Sequence, residues 1–179
     1  MASKKAHRVS GVAAGILAAA LVEKAGAGGP FHLFSMLALL AGALGGTAPD
    51  WLEVAWWRGR KARGAARLWI KHRTITHWGI AWIALLYYSY VKLGHAWWAP
   101  GAFGFACGGL MHLLTDWPNP MGVPWIYHRH SLGLWRSGTL EPMVIVLSWV
   151  FCAFLMDVLL FQGANTALFL NTIRTNYPA

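Results

Sequence analysis

The sequence predicts an all-α membrane protein, a bundle of about five transmembrane helices with a cytoplasmic N-terminus, and three observations carry that expectation. Of 179 residues, 57% are hydrophobic and only 12% charged, with a mean hydropathy of +0.44, well above a soluble domain. Five apolar segments follow one another, at about Val9–Val22, Phe31–Ala48, Trp78–Leu93, Trp97–Leu114 and Pro142–Phe161. The basic residues alternate with them in a way that assigns sides. The length suits one domain, 1–179, rather than two.

The first segment is Ala-rich and follows Met-Ala-Ser-Lys-Lys-Ala-His-Arg, a start that resembles a cleaved secretory signal. Glu23 and Lys24 then separate it from a second apolar segment, which favours retention as a first span. Spanning takes roughly 20 residues, so the first and third segments need their flanks. Glycines such as Gly11, Gly15, Gly42, Gly45, Gly46, Gly104 and Gly108 let helices approach closely in lipid. Many of the twelve tryptophans, among them Trp51, Trp56, Trp57, Trp97 and Trp117, sit beside charged or turn segments, as in a headgroup belt.

Short loops rich in Lys and Arg stay on the cytoplasmic side. With the N-terminus inside, that side holds twelve bases: Lys4, Lys5 and Arg8, seven from Arg58 to Arg73, then Arg129 and Arg136. Lys24, Lys92 and Arg174 fall opposite. The topology predicts basic cytoplasmic loops at about 51–77 and 115–141, a multi-pass protein of the cell inner membrane, and an outer tail or interfacial turn from Ala164 to Ala179.

The run Arg-Gly-Arg-Lys-Ala-Arg-Gly in the first cytoplasmic loop is either a solvated topology signal or an attraction for anionic phospholipid, each base being worth about 1 kcal/mol near such a surface. A protein partner on this face is the other expectation. No folded DNA-reading motif is visible, which argues against nucleic acid. Cys107 and Cys152 lie in apolar runs without a Cys-x-x-Cys pattern and read as small core residues.

With this orientation, most of the titratable side chains collect at the cytoplasmic mouths of the helices. His112 and Asp116 are four apart, which on a helix stacks an imidazole and a carboxylate on one face, as neighbouring metal ligands require. Asp50 follows Pro49, with Glu53 three residues on. His72 and His77 are five apart, about 140° around a helix, so they share no face; His72 belongs to the loop, and Thr74 or Thr76 is expected to cap a helix starting near His77. His7 precedes the first span. His128 and His130 around Arg129 read as a basic patch, and Glu141 before Pro142 as the acid of a helix's first turn. A donor set of imidazole and carboxylate suits zinc first, then manganese or iron, over magnesium or calcium.

Taken together, His7 with Gly11, Pro49-Asp50, His72-Arg73 with Thr76-His77, and His112-x-x-x-Asp116 with Gly122 resemble the YdjM-like family, described as LexA-binding, inner-membrane-associated metal-dependent hydrolases. The resemblance covers roughly residues 7–125. Two departures stand out: the second acid of the family's Pro-Asp-x-Asp turn appears here only as Glu53, and Trp78 replaces a Ser after the Thr-His pair. The resemblance implies a divalent metal ion held by His7, Asp50, His72, His77, His112 and Asp116, with Asp50 or Glu53 as general base and Arg73 stabilising negative charge. The implied reaction is metal-assisted attack of water on a phosphoester or another polarised centre, a lipid phosphoester being the most economical substrate. The alternative is a non-catalytic membrane protein whose basic face docks a regulator, nucleic acid or an assembly partner.

Overall fold

Helix α1 (Lys4–Lys24) starts five residues before the first apolar segment because the Ser3 side chain accepts a hydrogen bond from the backbone N–H of Ala6, satisfying one free donor of the first turn. In the computed structural model, which describes residues 3–57, 75–134 and 140–176 (side chains at 53–57, 171 and 173–176 excepted), helices dominate. They are α1, α2 (Leu33–Gly45), α3 (Ala48–Trp57), α4 (Gly79–Val91), α5 (Ala99–Asp116), α6 (Glu141–Phe161) and α7 (Ala164–Asn176). Two strands of two residues each, β1 (Val123–Pro124) and β2 (Arg129–His130), pair antiparallel in the loop after α5.

The chain departs from its predicted outline in four places. His7 lies inside α1, not ahead of it, because the Ser3 cap lengthens the helix. The second apolar segment breaks after Gly45-Gly46, and α3 begins within what reads as its end and the following loop, with Pro49 in the first turn, where a missing N–H is harmless. Helix α4 starts at Gly79 without a side-chain cap; Thr76 instead pairs its hydroxyl with His77 Nδ1 at 3.2 Å. The expected outer tail is helix α7. Its start is fixed by the buried Asp157, whose Oδ1 accepts from the Asn165 N–H at 3.1 Å and the Asn165 amide at 2.8 Å, and whose Oδ2 accepts from the Thr166 N–H at 2.7 Å. Gln162 and Gly163, with φ of 55° and 78°, turn the chain back for that contact.

Two of these helices, α1 and α6, are long and apolar enough to cross a membrane. The shorter apolar helices, including α4 and α2 with its preceding turn, are cut off by Gly-containing turns.

Helices α1, α2 and α5 form the centre, α4 packs on α5, and α6 packs on α1. Backbone approach holds the centre together. A side chain on Gly46 would place its Cβ 2.6 Å from the Gly11 Cα and 2.7 Å from the His7 carbonyl oxygen. Gly108 likewise lies directly against the Gly42 carbonyl, with no room for a Cβ. Such contacts set α2 antiparallel to α1 and parallel to α5, because 11 meets 46 and 15 meets 42, whereas 42 meets 108. Helix α6 runs parallel to α1: Ser10 and Ser148 share a buried hydrogen bond of 2.7 Å at one end, and Lys24 Nζ donates to the Leu159 carbonyl at the other. Ala38 meets Gly104 as Gly42 meets Gly108, and α4 runs antiparallel to α5, since Trp82 meets Gly109 and Tyr90 lies beside Phe103; α1, α2, α4, α5 and α6 therefore alternate in direction.

Candidate metal centre

One end of the bundle gathers three imidazoles and two carboxylates. His7 comes from the second turn of α1, Asp50 from the first turn of α3, His77 from the segment just before α4, and His112 and Asp116 from the last turns of α5. His7, His77, His112 and Asp116 are at most 1% exposed, and only Asp50, at 26%, reaches the surface. Charged groups this deeply buried require compensation.

The separations are the informative feature. His7 Nε2 lies 3.5 Å from Asp116 Oδ1, and His112 Nε2 lies 3.8 Å from Asp116 Oδ2 and 3.7 Å from Asp50 Oδ1. His77 Nε2 is 3.7 Å from the same Asp50 oxygen. These spacings are too long for hydrogen bonds. Two ligand atoms held about 2.0–2.2 Å from one ion, at tetrahedral to trigonal angles, are roughly 3.3–3.8 Å apart, so the observed spacings are those of donors around a common cation. Two overlapping triads satisfy this arrangement, His7 with His112 and Asp116, and Asp50 with His77 and His112.

The tautomers of two imidazoles follow from their outer nitrogens. His112 Nδ1 is 2.9 Å from the Gly46 carbonyl, which can only accept, so Nδ1 carries the proton. The Thr115 hydroxyl donates to the His112 carbonyl at 2.8 Å, which leaves its oxygen to accept from His7 Nδ1 at 3.0 Å. Both rings thus turn a bare Nε2 toward the cluster, and neither His7 Nε2 nor His112 Nε2 has a hydrogen-bond partner. Buried acceptors left this way are costly in an apolar interior, and a cation is the partner that their lone pairs suit. The two rings stack, with centroids 3.7 Å apart and planes at 16°, an arrangement that uncharged imidazoles tolerate.

His112 belongs to both triads but has a single lone pair at Nε2, and one lone pair binds one ion. His112 therefore serves one ion at a time, and among the described residues no group larger than these two triads brings its ligand atoms within 4.8 Å of one another. The residues fit a divalent transition ion: three neutral nitrogens and two carboxylates match the mixed donor preference of zinc, manganese or iron.

The loop after α5 braces the same end. Asn119, 1% exposed, sends its amide toward the Asp116 carbonyl at 3.3 Å and Asp116 Oδ1 at 3.4 Å. Trp78 Nε1 donates to the Ile126 carbonyl at 2.6 Å, Trp82 Nε1 to the Thr76 carbonyl at 2.7 Å, and the Ile80 N–H to the Trp125 carbonyl at 3.0 Å. These bonds tie the segment carrying His77 to the loop that follows Asp116.

Of the other residues singled out by sequence, His72 and Arg73 lie outside the described residues, and Glu53 lies one turn after Asp50 in α3 with its side chain likewise outside them. His128 and His130 are exposed on the small hairpin and belong to neither triad. Sequence reading missed Thr115, Asn119 and the Gly46 carbonyl. Thr115 stands three residues after His112, one helical turn away, and that spacing was the available signal.

No curated protein and no solved structure matches the chain. A family model described as YdjM inner membrane protein matches residues 1–172, from before His7 to past the last apolar helix, and the chain therefore belongs to the YdjM inner membrane protein family.

Proposed function

We propose that this protein is a multi-pass inner-membrane hydrolase whose metal centre, formed by His7, Asp50, His77, His112 and Asp116, lies at the cytoplasmic mouth of a five-helix bundle. The observation that carries the reading is the set of 3.5–3.8 Å donor separations converging on two imidazoles with bare Nε2 atoms. Support for five spans comes from the alternating direction of α1, α2, α4, α5 and α6, and from apolar side chains left exposed on their outer faces, such as Leu40, Ile83, Val146 and Phe154. Support for the orientation comes from the twelve-to-three division of basic residues.

A divalent transition ion held there, zinc being the first expectation, supplies Lewis acidity for hydrolysis. The chain's own residues do the rest. His7, His77 and His112 contribute neutral nitrogens that leave positive charge on the ion, and Asp116 is shielded from water. Among the described members of the cluster Asp50 is the one that reaches solvent, and whichever of Asp50 and Glu53 does not hold the ion is the general base for the attacking water. His72 and Arg73, the further ligand and the phosphate partner expected from the sequence, lie outside the described residues. The depth of the centre, at the level of lipid headgroups, favours a lipid phosphoester as substrate.

The test uses full-length protein in vesicles of phosphatidylethanolamine and phosphatidylglycerol, loaded with zinc or manganese, with headgroup release followed by mass spectrometry. Release by the wild type and loss of at least a hundredfold in Asp50→Asn support hydrolysis. No release from protein shown by elemental analysis to carry zinc or manganese counts against a lipid phosphoester as the substrate.

The basic run from Arg58 to Arg67 favours a second reading, a docking face for an acidic partner. Charge reversal there would then abolish partner recovery and spare the metal, whereas ligand substitutions would do the opposite.

A further inference from the structure

We propose that the cleft between α5 and α6 seats an acyl chain of a membrane phospholipid, directly behind the metal centre. The inference rests on the membrane reading above and not on hydrolysis. A cavity of about 200 Å³ lies there, bounded by Met111, Leu114 and Pro118 on one side and Val144, Leu147 and Phe151 on the other. Its walls are almost wholly apolar. Such a cavity does not hold ordered water, which needs two to four polar partners.

The lipid itself is what covers the opening. Helix α6 is the more apolar of the two helices long enough to cross a membrane and is largely unburied, and Leu147 and Phe151, 51% and 43% exposed, line the cleft while belonging to its outward face. The cleft is thus continuous with the surface that α6 presents to the bilayer. An open apolar groove between two helices in lipid is filled by an acyl chain of the adjoining leaflet, because leaving it empty forfeits packing on every wall.

Two polar groups place the seat along the bundle. Thr115 lines the cleft and hydrogen-bonds His7, and Ser148 lines it and hydrogen-bonds Ser10. Val144, four residues into α6 by position, sets the cleft near the end of the bundle that carries the metal centre. The proximal carbons of an acyl chain, those nearest the glycerol, occupy that depth. A filled cleft presses on Thr115 and steadies the contact that orients His7.

The experiment is photolabelling of full-length protein in phosphatidylethanolamine–phosphatidylglycerol vesicles containing a trace of phosphatidylcholine with a diazirine in the proximal half of one chain. The expected result is preferential labelling of the 111–118 and 144–151 peptides, reduced at least fivefold in both Leu147→Trp and Val144→Phe, with labelling of the Leu37–Leu40 face unchanged. Even labelling around the bundle, or labelling of the two peptides that neither variant reduces, overturns the proposal. Absence of labelling everywhere overturns the membrane reading with it. Retained metal in both variants shows that they fold, and if one fails this control the other decides.

Discussion

The rings of His7 and His112, 105 positions apart in sequence, stack face to face with centroids 3.7 Å apart, and one hydroxyl, that of Thr115, touches both residues. This contact joins the first helix to the fifth at the centre of the site. It also orients the lone pairs, since Thr115 holds His7 by Nδ1 and the Gly46 carbonyl holds His112 by Nδ1. The Nε2 atoms that face the cluster are therefore set by groups outside it.

Thr115→Val keeps the shape of the side chain and removes the acceptor for His7 Nδ1. Partners of this kind are worth about 10–100-fold in metal affinity. The expected outcome is a loss in that range by competition with a chelator, recovery in Thr115→Ser, and an altered visible spectrum of the cobalt-substituted protein. Unchanged affinity in Thr115→Val would remove Thr115 from the account.

Gly46→Ala tests the close approach of α1 and α2. The new Cβ would meet the Gly11 Cα and the His7 carbonyl, both backbone atoms, so the helices must separate. Overpacking of this sort costs about 1–3 kcal/mol. Thermal unfolding in detergent should show the loss, and metal affinity should fall with it because the same shift moves His7 and the Gly46 carbonyl. Gly101→Ala, whose Cβ meets only the Leu37 side chain at 3.2 Å, is expected to cost less.

Asp157→Ala separates the far end of the bundle from the site. It removes the acceptor for two backbone N–H groups at the start of α7, and loss of such a cap costs about 0.5–2 kcal/mol. Hydrogen exchange should quicken in 164–176 while metal content stays at the wild-type level. Loss of metal in this variant would show a coupling between the two ends that the structure does not contain.

Much of this arrangement was legible in the sequence, for reasons that differ from residue to residue. His112 and Asp116 were legible because a four-residue spacing fixes their face whatever the rest of the chain does. Asp50 and His77 stood out as polar residues at the ends of apolar runs. The helical class followed from hydropathy, but the ends of the helices did not: Ser3 lengthens α1, Gly45-Gly46 breaks the second segment, and Asp157 starts a helix where the sequence looks like a tail. Each of those outcomes depends on a single capping or close-packing contact, to which a hydropathy window is blind. The role of Thr115 depends on His7 arriving from 108 residues away, and no local pattern contains that.

The central claim is that separate stretches of chain meet at one end of the bundle to hold a transition-metal ion, with His112 the residue common to both triads. Elemental analysis of purified wild-type protein beside His112→Ala, with His95→Ala as a control at the opposite end of the bundle, tests it most directly. The account predicts at least one transition-metal ion per chain in wild type and His95→Ala, and less than a tenth of that content in His112→Ala. Full metal content in His112→Ala, or none in the wild type after loading with zinc, manganese or iron, would contradict it.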